Sequence, residues 1–153
     1  MNIQNILDAK GSTALFMVSL NTSLREVVRL ACEKHVGAML VADDAGQLAG
    51  IVTERDILFQ VDKRSDFDKI TVGDVMTKEL STAKPTDDIN IAMDLMIAKN
   101  IRHLPVVSED KIEGLITVRD LIHAMRKADE DELKCLVEYL QASIGANDNE
   151  GRH

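Results

Sequence analysis

Two short stretches of the chain place apolar residues at helical spacing, and each opens the same succession of elements. Leu24, Val27, Val28 and Ala31 form an i, i+3, i+4, i+7 stripe, and Ile89, Ala92, Met93 and Met96 form another, shifted by 65 positions. Such stripes predict helices with one face turned to a core. Each is followed by a short apolar run, Ala38-Met39-Leu40-Val41 in one case and His103-Leu104-Pro105-Val106 in the other. Polar turn residues come next (43–46 and 108–111), then a second apolar run, so each helix is expected to lead into two strands joined by a turn.

The second strand ends in the most distinctive pattern of the chain. Gly50-Ile51-Val52-Thr53-Glu54-Arg55-Asp56-Ile57-Leu58 returns as Gly114-Leu115-Ile116-Thr117-Val118-Arg119-Asp120-Leu121-Ile122, a shift of 64 that keeps the glycine, threonine, arginine and aspartate. The lead-in repeats as well: Ile3, Ile6 and Leu7 match Val72, Val75 and Met76 with a shift of 69, which implies about four extra residues near 10–14 of the first copy. The repeated unit is therefore β-α-β-β-α behind a short helical turn, and the fold class is α/β.

The expected boundaries are a first repeat over 1–60, a linker over 61–71, a second repeat over 72–128, a C-terminal helix over 129–146 and a polar, frayed tail over 147–153. The C-terminal helix carries its own stripe, Leu133, Leu136, Val137 and Leu140, behind an acidic run from Asp129 to Glu132 that suits a helix start. Two small units cannot each cover both faces of a sheet, so the sheets are expected to pack together about a pseudo-twofold axis, leaving a cleft between the copies.

Composition narrows the chemistry. With 45% apolar and 29% charged residues the 153-residue chain reads as a folded domain, and no apolar run approaches the roughly 18 residues that would span a bilayer. No membrane association is expected, and the start of the chain lacks the pattern of a signal peptide, which places the protein in the cytoplasm. A net charge of −8, with scattered Lys and Arg, makes nucleic acid a poor partner. Cys32 and Cys135 belong to no C-x-x-C pair or close cluster, so no disulfide framework is expected, and Cys32, beside a helical stripe, is expected to be buried. His35, His103, His123 and His153 show no ligating spacing, so no metal is expected. Hydrolase, Walker and dinucleotide-loop patterns are absent, so no catalytic residues are assigned and the chain is not expected to be an enzyme.

Two copies of G-h-h-T-x-x-D at helix starts, the second preceded by Arg102-His103-Leu104-Pro105-Val106-Val107, with Asp74-Val75-Met76-Thr77 between them, resemble the CBS (cystathionine β-synthase type) domain family. The resemblance covers about 3–126 and is closest to stand-alone CBS pairs of bacteria. It implies a non-catalytic regulatory module that binds an adenosine-containing ligand, AMP, ADP, ATP, NAD(H) or S-adenosylmethionine, in the cleft between the repeats. It also implies a homodimer acting on an effector protein that the sequence does not name. The alternative is a ligand-free module that dimerises or docks a partner.

Where a strand ends at Thr53 or Thr117 and a helix begins, first-turn N–H groups and the helix dipole suit an anion. In the resemblance, the threonine meets phosphate and Asp56 or Asp120 accepts ribose hydroxyls, although T-x-x-D is equally the signature of a capping box. The second-copy site is expected to comprise Thr82, Arg102, His103, Leu104, Thr117 and Asp120, and to bind more tightly because Arg102 and His103 stand where the first copy has Gly37 and Ala38. The first-copy site is expected at Val18, Gly37, Ala38, Thr53 and Asp56, with Arg55 and Arg119 reaching toward phosphates. Phe16, Phe59, Phe67 and Tyr139 all lie outside the repeated motif, so an adenine is expected between aliphatic side chains.

Overall fold

The structure is a computed structural model that describes residues 1–11 and 16–150, with side chains described through residue 143. The element order is α1 (Ile3–Lys10), β1 (Met17–Ser19), α2 (Leu24–Lys34), β2 (Ala38–Ala42), β3 (Leu48–Thr53), α3 (Glu54–Asp62), α4 (Val72–Val75), α5 (Ile89–Lys99), β4 (His103–Ser108), β5 (Lys111–Thr117) and α6 (Val118–Glu150). Two compact units result, Met1–Val118 and Arg119–His153. The extra residues expected near 10–14 of the first copy fall partly at 12–15, outside the described residues.

In the first unit each copy builds its own sheet. β1 runs parallel to β2 and β2 antiparallel to β3, with Val18 opposite Val41 and Leu40 opposite Ile51. β4 and β5 are antiparallel in the same manner, with a register shift at Val106/Val107 that matches the one at Val41/Ala42. The second copy's counterpart of β1 is reduced to one parallel bridge, Ala83 to Val106. Pro85 accounts for the difference. Its counterpart Leu20 extends the first ladder by donating its N–H to the Ala42 carbonyl at 3.1 Å, and proline has no N–H to give.

Strand alternation divides the core into two layers. Met39, Val41 and Val52 face Leu24 and Val27 of α2 together with Val18 and Val72. Ala38, Leu40 and Ile51 face the other way and meet Ile112 and Leu115 of β5, so the two sheets share one apolar layer as the repeat suggests. Both main helices end on a left-handed residue, His35 at φ 55° and Asn100 at φ 52°.

The lead-in helices cross over. α4, which precedes the second copy, packs on the first: Val72 is fully buried in the α2 core, its N–H donates to Thr22, and Gly73 donates to Leu20. α1, which precedes the first copy, packs on the second: Ile3 donates to Asp87, Gln4 to Pro85, and Lys10 Nζ to the Leu115 carbonyl. The N-cap residues pair reciprocally, Asn2 with Asp88 and Ser23 with Thr71. The stretch expected as a plain linker takes part, since Ile70 and Phe67 carbonyls accept from Leu24 and Arg25 and both side chains pack on the α2 core.

The second unit is a single helical course. The helix of the second copy and the expected C-terminal helix are one element, α6, with no break at residue 128. Its backbone remains helical over 147–150, where a frayed tail was expected, and 151–153 lie outside the described residues. From Asp129 to Ser143 every side chain is exposed. Among the described residues no helix is long and apolar enough to cross a membrane. Cys32 is exposed rather than buried, because it lies five residues past Val27 and so about 140° around the helix from it.

Candidate functional site

The first-copy motif is set by the passage from β3 to α3. Thr53 is extended (φ −120°, ψ 168°), and the helix starts at Glu54. Asp56 turns back to accept from the Thr53 N–H at 2.9 Å and from its hydroxyl at 3.2 Å, both at Oδ2. The capping arrangement anticipated for T-x-x-D is therefore present. The helix start is less open than sequence reasoning suggests, because Glu54 donates its N–H to the Gly37 carbonyl at 3.0 Å. The second copy repeats this, with Val118 donating to Arg102 at 3.0 Å, while Thr117 lies directly opposite His103 in the β4–β5 register. Asp120 stands in the first turn of α6.

Asp56 has a further partner from the other copy. Thr77, just past α4, donates its hydroxyl to Asp56 Oδ1 at 3.1 Å, with Oδ2 at 3.4 Å. The contact is held by the backbone, since Ile51 N–H donates to the Thr77 carbonyl at 3.0 Å and Thr77 N–H to the Ile51 carbonyl at 2.8 Å. Gly50 makes this approach possible: a Cβ there would lie 2.7 Å from the Thr77 carbonyl oxygen.

These groups border a cavity of about 760 Å³ lined by both copies. Thr53, Glu54, Arg55 and Asp56 come from the first motif, Thr77, Glu79, Leu80 and Ser81 from the segment after α4, and Lys99 to His103 with Pro105 from the end of α5 and the start of β4. The apolar walls are Ile51, Leu80, Ile101 and Pro105. Among the described residues, Arg55, Lys99 and Arg102 form no ion pair or side-chain hydrogen bond, although Glu54 and Glu79 line the same space. The cations are thus available to an anionic ligand, with Arg able to grip phosphate through two N–H groups.

The structure regroups the residues singled out from sequence. Arg102 and His103 line the cavity of Thr53, Arg55 and Asp56, although the sequence set them with the second motif. Leu104 is fully buried, Val18 and Ala38 are core residues, and Gly37 sits against the Glu54 side chain, so none of these four lines the cavity. Thr82 is exposed beside β4 and also lies off the cavity wall. Thr117, Arg119 and Asp120 stand at the β5–α6 junction. Sequence reasoning missed Thr77, Ser81 and Lys99. Thr77 closes the Asp-Val-Met-Thr run noted between the repeats, and a role for it emerges only from its contact with Asp56. Among the described residues no group of three or more His, Cys, Asp or Glu is arranged to hold a metal ion.

Comparison with known proteins agrees with this architecture. The CBS domain model matches residues 11–63 and 72–127. A mitochondrial CBS domain-containing protein of Arabidopsis thaliana is 32% identical over 147 residues, which are 91% of this chain and 71% of that protein. The structure of a protein with CBS domains from Burkholderia ambifaria superposes with a TM-score of 0.76 at 32% identity, covering 82% of this chain and 93% of that one. A CBS domain protein from Pyrobaculum aerophilum, solved in complex with AMP, shares the fold with a TM-score of 0.70 at 24% identity, covering 78% and 89% of the two chains.

Proposed function

The chain belongs to the CBS-domain family, as a tandem pair, and on that premise we propose that it is a non-catalytic regulatory module whose cavity takes an adenosine-containing ligand: AMP, ADP, ATP or NAD(H). One observation carries the reading. The Asp56 carboxylate and three uncommitted cations, Arg55, Lys99 and Arg102, border one cavity with aliphatic walls. A carboxylate suits the two ribose hydroxyls, the cations suit phosphate, and Ile51, Leu80, Ile101 and Pro105 suit the faces of a purine. The AMP complex of the Pyrobaculum protein, with the same fold, supports this ligand class. A second adenosine site at Thr117 and Asp120 belongs to the same proposal, as do a homodimer, an effector protein partner and a cytoplasmic location.

The test is a thermal-shift panel of AMP, ADP, ATP, NAD, NADH and S-adenosylmethionine on the wild type, Asp56→Ala and Asp120→Ala. A ligand at about 100 times its Kd adds roughly 2.7 kcal/mol of stability. At least one adenosine ligand is expected to raise the wild-type midpoint, and Asp56→Ala to diminish the shift. If no compound raises it, the ligand reading fails. The alternative is then a docking module, which the exposed stripe Leu133, Leu136, Val137 and Leu140 on α6 favours.

A further inference from the structure

We propose that Thr77 is an internal competitor for the ribose: its hydroxyl occupies the Asp56 oxygen that a nucleotide must reach, and so sets the affinity of the first-copy site. The inference rests on the adenosine reading of that site. A carboxylate oxygen offers about two lone-pair sites to incoming donors. Oδ2 of Asp56 already holds the Thr53 N–H and hydroxyl at 2.9 and 3.2 Å, so Oδ1 is the oxygen left for a ligand. Thr77 donates to that atom at 3.1 Å.

The donor is tethered rather than incidental. Two backbone hydrogen bonds to Ile51 fix the Thr77 main chain beside β3, so its hydroxyl is presented to Asp56 without any ordering of a loop. Release needs only rotation about χ1, which leaves those backbone bonds in place. Thr77 is exposed, so water shares its hydroxyl and the competition is worth a few-fold in affinity, not orders of magnitude.

The lead-in that packs on the second copy, α1, carries no such donor. The lead-in alignment places Asp8 where the second lead-in has Thr77, and an ionised carboxylate cannot donate. Asp8 instead accepts from the Gln4 side chain at 2.7 Å. The lead-in hydroxyl is thus a feature of one side of the pair, a difference separate from that of the cations.

Calorimetric titration tests this in the full chain carrying Asp120→Ala, so that only the Asp56 side reports. The probes are AMP and 2′,3′-dideoxyadenosine 5′-monophosphate, and the variants are Thr77→Val, which keeps the shape and loses the donor, and Thr77→Ser, which keeps the donor. The expected result is AMP binding about three- to ten-fold tighter in Thr77→Val, near parental in Thr77→Ser, with no gain for the dideoxy compound. Unchanged or weaker AMP binding in Thr77→Val overturns the proposal while the site reading stands. An equal gain for the dideoxy compound does the same, since it reports a wider cavity and not a freed carboxylate. Absence of AMP binding to both the parent and Thr77→Val overturns the site reading and this proposal with it.

Discussion

Gly50 shows how a single missing side chain shapes the site. β3 can lie against the segment after α4 only because position 50 has no Cβ; an added methyl group would sit 2.7 Å from both the Thr77 carbonyl oxygen and Met76 Sδ. The methionine can swing aside, but the carbonyl belongs to a backbone bridge and cannot. Gly50→Ala is therefore expected to cost about 1–3 kcal/mol, the range for an overpacked position, as read by urea unfolding. Because the same methyl group pushes Thr77 from Ile51, the variant should also lose the Thr77 contact to Asp56. At this scale the sequence was informative where a residue recurs and silent where it acts across the copies. Thr53 and Asp56 stood out because Thr117 and Asp120 repeat them, and the capping geometry they predicted is the one found. Thr77 has no equivalent donor in the first lead-in and reaches a carboxylate 21 positions earlier in the chain, which no spacing rule encodes. Leu104 and Val18 were read as lining residues because strand entry was equated with the site, whereas alternation along the strands turns both inward.

The stripes located the starts of α2 and α5, at Leu24 and Ile89, whereas both helices run three residues past the last stripe positions, Ala31 and Met96. α6 was read as two helices because the acidic run from Asp129 to Glu132 looks like a helix start. The same residues are tolerated inside a helix, and nothing between Arg126 and Glu132 is a glycine or proline, so the helix continues through them. The resulting long helix has an unmet need. Leu133, Leu136 and Leu140 are 64%, 54% and 58% exposed, and a helix of this kind is marginal in water without a surface to cover its stripe. In a dimer, that stripe is the expected contact. Leu136→Glu with Leu140→Glu should then shift sedimentation from dimer to monomer and lower helical circular dichroism, leaving the sheet core folded. A wild type that sediments as a monomer at every concentration would remove the dimer from the proposal.

For the molecule as a whole, hydrophobic periodicity reveals which faces are buried but not against what. It predicted two similar copies with a shared layer, and the layer of Leu40, Ile51, Ile112 and Leu115 is there. It did not reveal that each lead-in helix serves the opposite copy. Ile3 and Val72, the first residues of the two lead-in helices, are both fully buried, and the backbone of each helix is tied to the copy it does not precede. Ile3→Ala is expected to cost about 2–5 kcal/mol, and hydrogen exchange should show protection falling in β4 and β5 as well as in α1. Loss confined to residues 1–10 would mean that the crossover is ornamental to the second sheet.

The crossover also bears on assembly. A half-chain carrying one repeat and its own lead-in holds the lid that fits its twin and lacks the lid it needs itself. Two such halves would complete each other only by mutual exchange, so a single repeat is self-complementary as a pair and unfinished alone. The covalent link over 61–71 turns that encounter into an intramolecular one, at an effective concentration on the order of millimolar for a short connection. Within one chain the two halves need not be alike, and they are not: Arg102 stands against Gly37 and Thr77 against Asp8, so each side of the pseudo-symmetry carries its own chemistry.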